Sequence, residues 1–101
     1  MKKLFLIYLF SFLFAQKIII PMDQSQNNHL KAYGIAYFSL KKNNNVEWLL
    51  NYRGGSFLVA NNPTIQTECR IRGVTFELLD ADALLAIYSL IDQENMDVVL
   101  L

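Results

Sequence analysis

The chain has 101 residues, 53% of them hydrophobic and 18% charged, with Lys plus Arg and Asp plus Glu balanced at 9 each. That length holds one small domain, and the lack of a basic stripe argues against nucleic acid as a partner. A single Cys and a single His exclude an internal disulfide and leave too few ligands for an ordinary zinc site.

Residues 1–15 read as a signal peptide. Lys2 and Lys3 precede an apolar run from Leu4 to Phe14, and Ala15 supplies the small side chain before a cut at Gln16. The run is shorter than the roughly 20 residues that span hydrocarbon, so the membrane is met only in transit. The expected product is periplasmic or secreted, an α/β domain of residues 16–101. Losing Lys2 and Lys3 leaves 7 basic against 9 acidic residues, a net charge of −2.

Lys17 to Met22 is a short β-branched run closed by Pro21, the pattern of a buried strand. The polar segment Asp23 to Asn28 follows, rich in helix-capping side chains. From His29 to Lys42 the period turns helical, with Leu30, Tyr33, Gly34, Tyr37 and Phe38 on one stripe and Ala32, Ile35, Ala36 and Leu40 on another. A helix apolar on so many sides expects protein on more than one of them. Asn43-Asn44-Asn45 ends it, because Asn tolerates the left-handed conformation.

Val46 to Tyr52 reads as a second strand, broken by Arg53-Gly54-Gly55-Ser56 before Phe57 to Ala60 turns apolar again. Asn62-Pro63 opens a helix that ends at Gly73, with Ile65 and Cys69 facing inward. Val74 to Leu79 is a third strand. Asp80 caps a last helix striped by Leu84, Ile87, Tyr88 and Ile91, and the apolar run Met96 to Leu101 follows with no strand to pair with.

The order β-α-β-α-β-α predicts right-handed crossovers and a small, mostly parallel sheet flanked by helices, part of an incomplete doubly wound domain. The competing reading makes Val46–Tyr52 and Phe57–Ala60 a hairpin turned at Gly54-Gly55.

The stretches "KIIIPMDQSQNNHLKAYGIAYFSL", "VEWLLNYRGGSFLV" and "ECRIRGVTFELL", with "AQK" and "ENMDVV" at the ends, resemble the start of an exported family of Bacteroidota and related bacteria commonly labelled asparagine synthetase B. The resemblance implies an amino-terminal fragment of a longer parent whose later region has a class I glutamine amidotransferase-like α/β fold, with the rest of that parent or a partner subunit beside it. It does not imply asparagine formation. Lys2 stands where those synthetases place a catalytic Cys, and Ser56 after Gly54-Gly55 is the wrong order for their Ser-Gly-Gly-x-Asp-Ser loop.

In open α/β sheets ligands bind beyond the carboxyl ends of strands, which selects two segments. Asp23, Gln24, Ser25, Asn28 and His29 follow the first strand; Arg53, Gly54, Gly55 and Ser56 follow the second. An Arg fork and glycine N–H groups suit a carboxylate or phosphate, so the expectation is a polar pocket for a small anionic or amide ligand. No catalytic set, metal site or cofactor is expected, since Cys69 lies in a helix without a glycine-flanked elbow. Chemistry of an amidotransferase-like parent would then lie beyond Leu101, and apolar helix faces that dock a partner are a third possibility.

Overall fold

The computed structural model describes residues 16–101; the proposed signal peptide lies outside them. The elements are β1 (Lys17–Ile20), α1 (His29–Lys41), β2 (Val46–Leu49), β3 (Ser56–Ala60), α2 (Pro63–Arg72), β4 (Glu77–Leu79), α3 (Ala81–Gln93) and β5 (Val98–Leu100). The helix boundaries follow local chemistry. Asn28, Asn62 and Asp80 each accept a backbone N–H of the first turn. Asn43 (φ 63°) and Asn95 (φ 56°) turn left-handed beyond α1 and α3, and Gly73 (φ 69°) caps α2.

The five strands form one sheet in the order β4-β1-β3-β2-β5, with every neighbouring pair antiparallel. The expected parallel, doubly wound β-α-β-α-β-α sheet is therefore incorrect. Phe57–Ala60 is a separate strand, and the Arg53-Gly54-Gly55 loop reverses the chain so that β3 inserts between β1 and β2. Each β-α-β crossover then skips a strand: α1 joins β1 to β2 with β3 between them, and α2 joins β3 to β4 with β1 between them. These six elements have split β-α-β, ferredoxin-like connectivity. The final run also differs from expectation, because β5 pairs with β2 in the register Leu49↔Val98, Trp48↔Val99, Glu47↔Leu100.

Both sheet faces are covered. Ile18, Ile20, Val46, Phe57 and Val59 pack with Ala32, Ile35 and Ala36 of α1 and Ile65 and Cys69 of α2. Ile19, Leu49, Leu58 and Leu79 pack against Ile87 and Ile91 of α3. This explains the unbroken apolar run of β1, which an antiparallel strand shows once helices lie on both sides. Fully burying each such Ile or Leu contributes about 1.5–3 kcal/mol.

The two stripes of α1 divide differently from the pattern's suggestion. Ala32, Ile35, Ala36 and Ser39 are buried, whereas Leu30 is 82%, Tyr33 53% and Tyr37 64% exposed. Gly34 faces α2 rather than the sheet, since a Cβ there would lie 3.0 Å from the Arg72 guanidinium.

Candidate functional site

The two polar segments singled out in the sequence do meet at one end of the sheet. The loop after β2 folds over the end of β1: Met22 N–H donates to the Arg53 carbonyl at 3.2 Å and to Ser56 Oγ at 3.3 Å. Ser56 Oγ donates back to the Arg53 carbonyl at 3.0 Å. Arg53, Gly54 and Gly55 all have positive φ, at 46°, 79° and 91°. Gly54 is required by proximity as well, because a Cβ there would sit 2.5 Å from the Met22 carbonyl oxygen.

Arg53 is the hub. Its Nε donates to Asp23 Oδ2 at 2.7 Å, and its two Nη atoms donate to the Glu77 carboxylate at 3.0 and 2.9 Å. Nη2 also donates to Ser25 Oγ at 3.1 Å. Hydrogen bonds from Arg53 and then Ser25 hold the Asp23 carboxyl well below the usual carboxylate range. The fork is thus matched by two carboxylates of the same chain. Gly55 and Ser56 both aim their N–H groups at the Tyr52 carbonyl, so that donor pair is also engaged internally.

The remaining members are placed as follows. Asn28 caps α1 through Lys31 N–H at 3.0 Å. His29 Nε2 lies 3.1 and 2.8 Å from the carbonyl oxygens of Met22 and Asp23; carbonyls only accept, so this nitrogen carries the proton. Gln24 is exposed at the turn. Two participants escaped sequence reasoning. Glu77 stands 24 positions from Arg53, a separation no local pattern spans. Gln26 is buried, its amide donating to the Pro21 and Thr75 carbonyls and accepting Thr75 and Asn28 N–H. The residue types of this cluster and the meeting of its two segments were legible in the sequence; the parts played by Glu77 and Gln26 were not.

A second feature lies on the α1 side of the sheet. Tyr33, Ala36, Tyr37 and Leu40 of α1 face Trp48, Phe57 and Leu101 across an open groove of about 260 Å³. Trp48 and Phe57 are cross-strand neighbours, stacked at 6.0 Å, and Tyr33 meets Phe57 edge-on at 5.9 Å. The Trp48 indole N–H donates to the Gly55 carbonyl at 3.0 Å, so the groove presents mainly apolar surface. Beside it runs β5, an edge strand whose Val98, Val99 and Leu100 are all exposed. The exposed stripe Leu30-Tyr33-Tyr37 has the i, i+3, i+7 spacing visible in the sequence; that it points outward was not.

On the α3 face, Glu47 accepts from Lys17 Nζ at 2.8 Å and from the Tyr88 hydroxyl at 2.6 Å. Burial opposes ionisation of Glu47, yet these two hydrogen bonds outweigh it and keep its pKa below the ordinary value. Cys69 is fully buried, and burial pushes its thiol up to about 11. Among the described residues no three His, Cys, Asp or Glu side chains cluster to hold a metal, and no helix is long and apolar enough to cross a membrane.

The molecule is thus a small mixed α/β domain with a five-stranded antiparallel sheet, an internally paired polar lock at one sheet end and an open apolar groove beside β5, an edge strand among the described residues. No family model matches the chain, and no curated protein or solved structure matches it.

Proposed function

We propose that this protein is an interaction module that docks another polypeptide on the α1–β5 face. One observation carries the reading: the apolar groove floored by Trp48 and Phe57 lies directly beside β5, whose outer edge pairs with no strand among the described residues. An open edge offers main-chain hydrogen bonds to an added strand, and an adjoining pocket gives it side-chain specificity. The polar cluster supports small-ligand binding less well, because an incoming anion has to displace Asp23 and Glu77 from Arg53. The leader-like residues 1–15, together with the resemblance to an exported family, support a periplasmic or secreted setting. The partner there is the rest of a longer parent or a separate chain.

A photo-crosslinking residue placed at Tyr37 tests the reading, with Arg70 of α2 as the control position. Discrete protein adducts at Tyr37 and none at Arg70 are expected. The absence of adducts at Tyr37 rejects a docking role for this face.

A further inference from the structure

We infer that the outer surface of α1 and α2 seats the protein on an anionic lipid bilayer. The inference goes beyond the docking reading and does not depend on it, because the groove floored by Trp48 and Phe57 lies on the flank of α1 toward β5.

Charge is segregated by layer. With its C-cap, α1 carries Lys31, Lys41 and Lys42, and α2 carries Arg70 and Arg72, against Glu68 alone: five cations to one acid, a net charge of +4 with His29 neutral. With its two caps, α3 carries Asp80, Asp82, Asp92 and Glu94 and no Lys or Arg, a net charge of −4. The two layers cover opposite faces of the sheet. No local stretch announces the basic face, because its cations come from separate segments. They gather only when α1 and α2 pack side by side, with the Arg72 guanidinium over the Phe38 ring at 5.6 Å.

The cations are positioned yet left largely uncompensated. Among the described residues only Arg72 of the five pairs with a carboxylate, that of Glu68 at 2.9 Å. Lys41 lies over Tyr37 at 5.5 Å, Lys42 over the same Phe38 at 5.6 Å, and Arg70 over Phe76 at 5.5 Å. A ring face holds a cation in place without cancelling its charge.

Leu30 and Ile71 select the kind of anion. They are 82% and 72% exposed. The Arg72 guanidinium lies against Gly34, which sets the last turn of α2 beside the first half of α1, so both tips stand at one end of the same layer. Separate aliphatic tips among cations suit a bilayer surface, where acyl chains close around each tip while phosphates meet the cations. A nucleic acid offers such tips nothing, since it asks for stacking platforms and phosphate contacts. The acidic α3 layer faces away, which orients the domain on the bilayer. This surface gives the domain a membrane contact of its own, beyond the transit of residues 1–15.

Co-sedimentation of the full chain with vesicles tests the inference, using phosphatidylglycerol and phosphatidylcholine in equal parts against phosphatidylcholine alone. Tighter binding to the anionic vesicles, weakened by salt, is expected. Each cation removed from the layer should weaken it about fivefold, so the double variant Lys42→Ala with Arg70→Ala should bind about 25-fold more weakly. Leu30→Ser should weaken it several-fold with an unchanged circular dichroism spectrum. Asp82→Asn with Asp92→Asn on α3 should leave binding within about twofold, because charges on the far layer are screened. Equal binding to both vesicle types, or binding unchanged in the Lys42→Ala, Arg70→Ala variant, would trace to the apolar residues 1–15 and overturn the inference. So would an α3 variant whose effect matches that of the basic layer. Tighter binding to poly-glutamate or to a single-stranded oligonucleotide than to the anionic vesicles would assign the face to another polyanion and sink the lipid.

Discussion

Arg53 and Asp23, 30 positions apart, meet at 2.7 Å between Nε and Oδ2, and that contact ties the loop after β1 to the loop after β2. The same guanidinium holds Glu77 at the start of β4. One side chain thus joins three segments that converge at one end of the sheet, which makes the cluster a positional lock.

Position 53 carries a cost along with its side chain, since a non-glycine residue at φ 46° is strained. Arg53→Ala and Arg53→Gly both remove the clasp and are expected to lower Tm. Arg53→Gly should be the milder by about 0.5–1 kcal/mol, because glycine accepts that backbone freely. Urea denaturation of the pair reads the difference; equal midpoints would refute the strain.

Gly54 and Gly73 separate steric demand from backbone demand. Both have positive φ, but a Cβ at Gly54 meets the Met22 carbonyl at 2.5 Å, whereas at Gly73 nothing lies within 4 Å. Gly73→Ala should cost about 1 kcal/mol, and Gly54→Ala about 2–4 kcal/mol as the lock is pushed open. Thermal melts of the two variants compare them directly.

Gln26 donates to the Pro21 and Thr75 carbonyls and accepts the Asn28 and Thr75 N–H groups, and its two bonds with Thr75 join the loop after β1 to the segment before β4. Gln26→Ala should destabilise by about 2–4 kcal/mol, as buried carbonyls and N–H groups lose partners. Gln26→Glu sets a carboxylate against two carbonyls, an arrangement that favours its protonated form. The sign follows: a folded-state pKa above the unfolded one makes Gln26→Glu gain stability relative to wild type as pH falls. Chemical denaturation at pH 7 and pH 4 reports it.

Glu47 gives the opposite dependence. Its pKa is below the ordinary value, so the stability it contributes is present above the unfolded Glu value of about 4.3 and is lost as pH falls through the lower folded value. Glu47→Gln should therefore show a shallower loss of stability in acid than wild type. Tyr88 is shifted upward by burial and by its bond to Glu47. Its contribution is complete below the unfolded tyrosine value of about 10 and is lost as pH rises through the folded one. Ultraviolet titration should show a phenol ionising above the ordinary tyrosine range, and Tyr88→Phe should abolish that late step.

Cys69 should resist alkylation in the native state. Its thiol, fully buried and raised to about 11, presents almost no thiolate at pH 8. Iodoacetamide labelling should be slow until denaturant is added and fast afterwards. Rapid native labelling would mean that α2 opens readily from the sheet.

The sequence by itself determined the local elements. The caps at Asn28, Asn62 and Asp80, the left-handed stop at Gly73 and the buried run of β1 are set by residues within a few positions of one another, where side-chain and backbone preferences act directly. It also picked out residues at 23–29 and 53–56 as neighbours in space, because both follow strands. Tertiary structure alone decided that the sheet is antiparallel, that β5 lies beside β2, that Glu77 completes the hold on Arg53, and that Tyr33 and Tyr37 point outward. Each depends on which strand pairs with which. A parallel and a split arrangement bury much the same alternating apolar faces, and they are separated by the three-residue left-handed reversal at Arg53-Gly54-Gly55 acting with contacts that form only once distant segments have met.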